Sequence, residues 1–157
     1  MPLIDARRPP DQQQYAATLG MLHEHLEGSV ACESFVQVVE FDPALTRWYV
    51  RFGCDGRDAA TIYFDLHQRA LHYEVYFLPD PLMDREAILT LLLKANHTRL
   101  GAHFSIGPDD DLYITGRVLL EDLDAVALDR IIGELYELTE RWSATVVALA
   151  FPRRKQD

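Results

Sequence analysis

The side chains able to do chemistry in this 157-residue chain are six histidines, two cysteines and 25 aspartates and glutamates. Their spacing decides what they can do. His23 and His25 stand two apart in a helical stretch, so their rings point in different directions. His67 and His72 flank one short turn, and His97 and His103 bracket the end of a second helix. None has the two-histidine helical spacing of a zinc hydrolase or a cysteine-rich partner, so no metal site is expected. Asp109, Asp110 and Asp111 are consecutive. They lack the alternate ligands and closing glutamate of a calcium loop and read as a solvated turn. Glu134, Glu137 and Glu140, with Arg130 and Arg141, are expected on the outer side of the last helix. Cys32 and Cys54 belong to no Cys-x-x-Cys pair and are expected as reduced, structural thiols. No Gly-x-Ser-x-Gly elbow, phosphate loop or dinucleotide fingerprint occurs. The expectation is a non-enzymatic protein with no catalytic residue, no metal and no cofactor.

One group of polar side chains does gather. Between residues 47 and 77 the hydrophobic period is two, the signature of half-buried strands. If Trp48, Val50, Phe52, Ile62, Phe64, Leu71, Tyr73 and Val75 face a core, the opposite face carries Tyr49, Arg51, Thr61, Tyr63, His72, Glu74 and Tyr76. Tyrosine and arginine join apolar area to directional hydrogen bonding, which suits a protein interface. An ordinary solvated face of an antiparallel sheet shows the same alternation. The candidate partner-binding residues are Tyr49, Arg51, Tyr63, His72 and Tyr76.

The elements that would position this face follow from the same periodicity. Tyr15, Leu19, Leu22 and Leu26 form a helical stripe after Asp11, a suitable N-cap, with Gly28 as the expected stop. Four strands joined by short links favour an antiparallel meander, with a loop over Gly53 to Asp58. A second helix is expected from Asp84 to near Thr98. Ile88, Leu92 and Ala95 line one of its sides, and Leu89 and Leu93 another, so it must be covered twice. Two short strands around Gly107 to Asp111 form a hairpin. A last helix then carries Leu128, Ile131, Leu135, Leu138, Trp142 and Leu149 as its buried stripe. Strands grouped between helices indicate an α+β fold.

Composition bounds the function. With 48% hydrophobic and 25% charged residues the chain is an ordinary globular one, of a length for one domain. A formal charge of −10 repels phosphate backbones, so no nucleic-acid partner is expected. No apolar run reaches the length of a membrane span and the start does not resemble a signal peptide, so a cytoplasmic protein without membrane contact is expected.

The order helix, meander, helix, hairpin, long helix resembles the fold shared by CesT-type type III secretion chaperones and YbjN-like proteins. Ile88 to Asn96 resembles the leucine-rich family helix ending in Asn. Ala102 to Ile106 with Asp111 to Ile114 resembles the family hairpin. Arg117 to Asp124 resembles the lead into the last helix, with Leu119 where the family often has proline. The resemblance implies residues 11–151 as one such domain, and the polar ends are expected as a flexible segment 1–10 and a flexible tail 152–157. The resemblance also implies a homodimer that binds a client or regulatory protein segment as a chaperone or adaptor, the alternative being a sensory transduction regulator-like module that binds a folded partner or a small ligand. The second face of the second helix, Leu89, Leu93 and Asn96, offers the dimer seam. The first helix covering that face within one subunit is the alternative.

Overall fold

The computed structural model describes residues 11–55 and 57–152, so the expected segment 1–10 and residues 153–157 of the expected tail lie outside the described residues. Helix α1 (Gln12–Cys32) opens with a capping box. The Asp11 carboxylate accepts from the Gln14 N–H at 2.8 Å, and the Gln14 side chain accepts from the Asp11 N–H at 3.2 Å. Gly28 does not end it. A glycine in mid-helix costs only about 1 kcal/mol. One residue further on, Ser29 is buried beside the stripe of Leu22 and Leu26, which holds the last turn in place.

Strands β1 (Val36–Asp42), β2 (Arg47–Cys54), β3 (Arg57–Leu66) and β4 (Ala70–Leu78) form the expected meander. The loop expected over Gly53 to Asp58 is shorter, because Cys54 already pairs with Arg57. Helix α2 (Arg85–Asn96) leads to β5 (His103–Ile106) and β6 (Leu112–Leu119). The hairpin is not separate from the meander. Strand β6 pairs with β4, giving one antiparallel sheet in the order β1-β2-β3-β4-β6-β5 with β1 and β5 at its edges. A short turn of helix leads into α3 (Ala125–Ala150), capped by the Asp124 carboxylate, which accepts from the Ala127 N–H at 2.7 Å.

All three helices pack on one face of the sheet. Trp48, Val50, Phe52, Ile62, Phe64, Leu71, Tyr73 and Val75 are buried there with Leu22, Leu26, Ile88, Leu92 and the α3 stripe, in a single core. Gly116 lies in β6 opposite Tyr73, and a Cβ there would collide with the tyrosine ring. Two expectations for α3 are corrected. Leu149 is exposed, because the buried line drifts along the helix to Val146 and Ala150. Of the acidic residues expected on its outer side, Glu137 is exposed, but Glu134 and Glu140 are half-buried. Glu134 faces the residues before β5, and Glu140 accepts from the Asp55 N–H at 2.5 Å.

Candidate functional site: the open sheet face and the α2–β5 groove

The face of the sheet turned away from the helices carries every residue the alternation assigned to it. Cross-strand register arranges these residues in rows. One row runs Asp42, Arg47, Asp65, His72, Arg117, and the next runs Glu40, Tyr49, Tyr63, Glu74, Thr115, His103. Beyond them, Arg51 stands opposite Thr61 and Tyr76 opposite Tyr113. Tyr49 and Tyr63 meet edge to face at 5.4 Å between centroids, and Tyr76 and Tyr113 do the same at 5.5 Å. Arg51 is exposed, whereas Tyr49, Tyr63, His72 and Tyr76 are half-buried.

Arg47 was not among the residues singled out, although it continues the alternation two positions before Tyr49. Its guanidinium donates from Nε to Asp65 Oδ1 at 2.6 Å and from Nη2 to Asp65 Oδ2 at 3.0 Å. It also lies 5.5 Å from the Tyr63 ring centroid and 6.0 Å from that of Tyr49. The hydrogen bonds to Asp65 raise its pKa, against the opposing effect of burial.

The charges around β4 are tuned by burial. The His72 imidazole is held below its usual pKa, first by burial and then by His67, whose ring lies 4.2 Å away, and Arg117. The Glu74 carboxyl is held above its usual pKa by burial and then by Asp65. The aspartate turn is more than a solvated loop. The Tyr76 hydroxyl donates to Asp111 Oδ2 at 3.1 Å, and the Tyr113 hydroxyl donates to Asp109 Oδ2 at 2.7 Å. Asp111 Oδ1 also accepts from the Asp80 N–H at 2.9 Å. The Tyr76–Asp111 and Asp80–Asp111 contacts were invisible in the sequence because they join residues 35 and 31 positions apart.

Leu89, Leu93 and Asn96 come together on the outward side of α2. With Arg85, Glu86 and Ile106 they line a groove of about 660 Å³ between α2 and β5. Leu93 is 71% exposed and Ile106 50%, so α1 does not cover this side. Asn96 lies in the groove, but its amide is engaged. Nδ2 donates to the Phe104 carbonyl and Oδ1 accepts from the Phe104 N–H, both at 2.9 Å. Arg99 Nε donates to the Ala102 carbonyl at 3.1 Å, and Glu134 Oε1 accepts from the Ala102 N–H at 3.1 Å. Side chains thus occupy hydrogen-bonding positions along the β5 edge that an added strand would need.

The thiols and histidines converge on no reaction centre. Cys32 is exposed, and burial pushes the half-buried Cys54 thiol up to about 11. His23 Nδ1 accepts from the Trp48 indole at 3.0 Å, while His25 meets Asp129 at 2.6 Å. Among the described residues no cluster of three or more His, Cys, Asp or Glu is placed to hold a metal ion, and no helix is long and apolar enough to cross a membrane.

This arrangement of helices over one face of an antiparallel sheet is the fold of type III secretion chaperones. The protein shares it with a chain of the ExsC–ExsE complex (TM-score 0.62, 14% identity, 86% of this chain and 98% of that one). The HopA1–SchA chaperone–effector complex gives 0.55 at 18% identity over 87% and 99%, respectively. The Yersinia pestis secretion chaperone SycH, solved with a fragment of YscM2, gives 0.51 at 12% identity over 80% and 96%. At such identities the likeness establishes the fold alone. Residues 61–147, more than half of the chain, match the YbjN family, described as "Putative bacterial sensory transduction regulator", and the protein belongs to that family. A Mycobacterium leprae protein named only as uncharacterized is 24% identical over 107 residues, 68% of this chain and 58% of its own length. An uncharacterized Mycobacterium tuberculosis protein is 24% identical over 84 residues, 54% of this chain and 46% of its own. The chain therefore spans about half the length of the curated relatives it matches.

Proposed function

We propose that the protein is a non-enzymatic, cytoplasmic adaptor that works as a homodimer and holds a segment of a partner protein against its open sheet face. The observation that carries this reading is the division of the surface. The outward side of α2 is apolar and bare, and the face of the sheet opposite the helices is rich in tyrosine and arginine. Fully burying an exposed Leu or Ile side chain gives roughly 1.5–3 kcal/mol, and Leu93 and Ile106 keep much of that area open, which favours covering the α2 side. A second copy suits it. Arg85 and Glu86 lie together at the groove, and although Arg85 Nε donates to Asp80 Oδ1 at 2.7 Å within its own copy, a two-fold contact can bring the Glu86 of the other copy beside that pair. With α2 against α2, the tyrosine face of each copy stays open for the partner segment. Holding such a segment needs differential binding alone and no bond-making step.

The test has two parts. A Leu89→Glu, Leu93→Glu double variant should elute as monomer, where the wild type is dimeric by size-exclusion chromatography with light scattering. A wild type that is already monomeric, or a variant of unchanged dimer mass, would overturn the seam. For the sheet face, Tyr63→Ala with an unchanged circular dichroism spectrum should lose the partner segment in a pull-down. The second reading, a regulator that recognises a folded partner, is favoured by the family's description. It predicts that the partner's folded domain, and not an isolated segment of it, is retained by the immobilised protein.

A further inference from the structure

The open face carries two facing tyrosine pairs, one flanked by a base–acid row and the other by an acid without a base opposite it. In the first, Tyr49 and Tyr63 face each other across β2 and β3 as an edge-to-face pair. One row along, a basic residue faces an acidic one. Arg47 stands opposite Asp65, and its guanidinium is forked onto the carboxylate within reach of both rings. In the second, Tyr76 and Tyr113 face each other across β4 and β6 as another edge-to-face pair. One row along, Glu74 stands in the position that Arg47 has in the first pair, and Thr115, in the position of Asp65, is opposite it, so this row holds an acid and no cation. The threonine hydroxyl donates to Ser105 Oγ at 3.2 Å. Glu74 takes part in none of the ion pairs among the described residues.

We propose that the partner segment places an arginine side chain over Tyr76 and Tyr113 and onto the Glu74 carboxylate, supplying the cation that Arg47 supplies in the neighbouring pair. This inference rests on the reading of the sheet face as a partner-binding surface. Arginine is favoured because its planar guanidinium matches a carboxylate in a fork and stacks on aromatic rings. The surrounding charge favours a cation as well. Asp109 and Asp111 accept from the two tyrosine hydroxyls at the edge of the same patch. Arg57, the basic residue of β3 near Tyr76, is engaged with the Phe77 carbonyl at 2.7 Å. Arg47 acts on the half-buried Glu74 carboxylate only from a distance, and an incoming guanidinium gains most where water is already partly excluded.

The experiment is selection of a phage-displayed library of random dodecapeptides against the full-length protein, followed by affinity measurement on synthetic copies of the enriched peptides. The expected result is a fixed arginine in the enriched set, with binding weakened about ten-fold or more by Glu74→Gln. A Thr115→Arg variant, which places a guanidinium opposite Glu74 within the chain, should block the same peptides. Both variants should retain the wild-type circular dichroism spectrum, and Glu74→Gln should not lower the urea midpoint. Enriched peptides that lack a fixed basic residue, keep their affinity for Glu74→Gln and lose it for Tyr63→Ala would overturn the arginine and leave the sheet-face reading standing. Peptides unaffected by Tyr63→Ala, Glu74→Gln and Thr115→Arg alike, or none enriched at all, would overturn both.

Discussion

Cys54 and Cys32 carry the same thiol in different surroundings. Cys54 is half-buried at the end of β2 and held at about 11 by burial and Glu140, while Cys32 is exposed at the end of α1. The thiolate is the reactive form, and a thiol near 11 supplies little of it close to neutral pH. Iodoacetamide at about pH 8 should therefore modify Cys32 well before Cys54. Peptide mass spectrometry over a time course reads the order, and Cys54 modified first would refute the assignment. His72 gives a pH dependence. Burial, His67 and Arg117 hold its folded pKa below the ordinary 6.5, and Asp65 pulls only partly the other way. The unfolded chain then takes up this proton before the folded one as pH falls. Stability from this group is fully present above 6.5, declines as the pH falls through that value, and levels off once the folded ring has titrated. His72→Gln should remove that decline, so its urea midpoint should drop less than the wild type's between about pH 7.5 and about pH 5.5. Equal drops in both proteins would show that His72 is not the group responsible.

At the scale of elements, the strands were readable because one face is buried along nearly their whole length, which imposes period two on Trp48 to Phe77. The sheet face was readable for the same reason; the alternation reaches Arg47, and only its pairing with Asp65, which is set by the cross-strand register, was not readable. The end of α1 was not readable. Gly28 is a local stop signal, and the burial of Ser29 that overrides it comes from packing. Glu134 carries a helix-face pattern in sequence, yet its partners are Arg99 and the Ala102 N–H, more than thirty residues away. Asn96 is the clearest case. At the end of a leucine-rich helix it reads as a seam residue, whereas its amide closes both main-chain groups of Phe104 and ties α2 to β5. Removing both bonds with Asn96→Ala should destabilise the protein by about 1–3 kcal/mol, because the Phe104 peptide groups are left partly buried without partners. Asn96→Asp, which keeps the acceptor and loses the donor, should fall between it and the wild type in urea denaturation. An alanine variant as stable as the wild type would show that water replaces the amide without loss.

At the scale of the whole molecule, one core joins parts of the chain that fold at different distances along the sequence. Trp48 is fully buried in β2 under α1, where its indole donates to His23. Trp142 lies on α3 with its ring 6.0 Å from that of Phe104, at the other edge of the sheet. The two indoles therefore report on opposite ends of one apolar cluster. If that cluster is a single cooperative unit, Trp48→Phe and Trp142→Phe variants should each show fluorescence and far-ultraviolet circular dichroism transitions that coincide in urea. The adaptor reading adds a second requirement. A dimer closed over α2 couples folding to association, so these midpoints should rise together with protein concentration. In the Leu89→Glu, Leu93→Glu background that rise should vanish while the coincidence of probes remains. Should the Trp142 transition fall at lower urea than the Trp48 transition, the α2–β5 end would be a separate, weaker unit. The apolar side of α2 would then be part of a region that opens on its own and not a rigid surface prepared for a second copy.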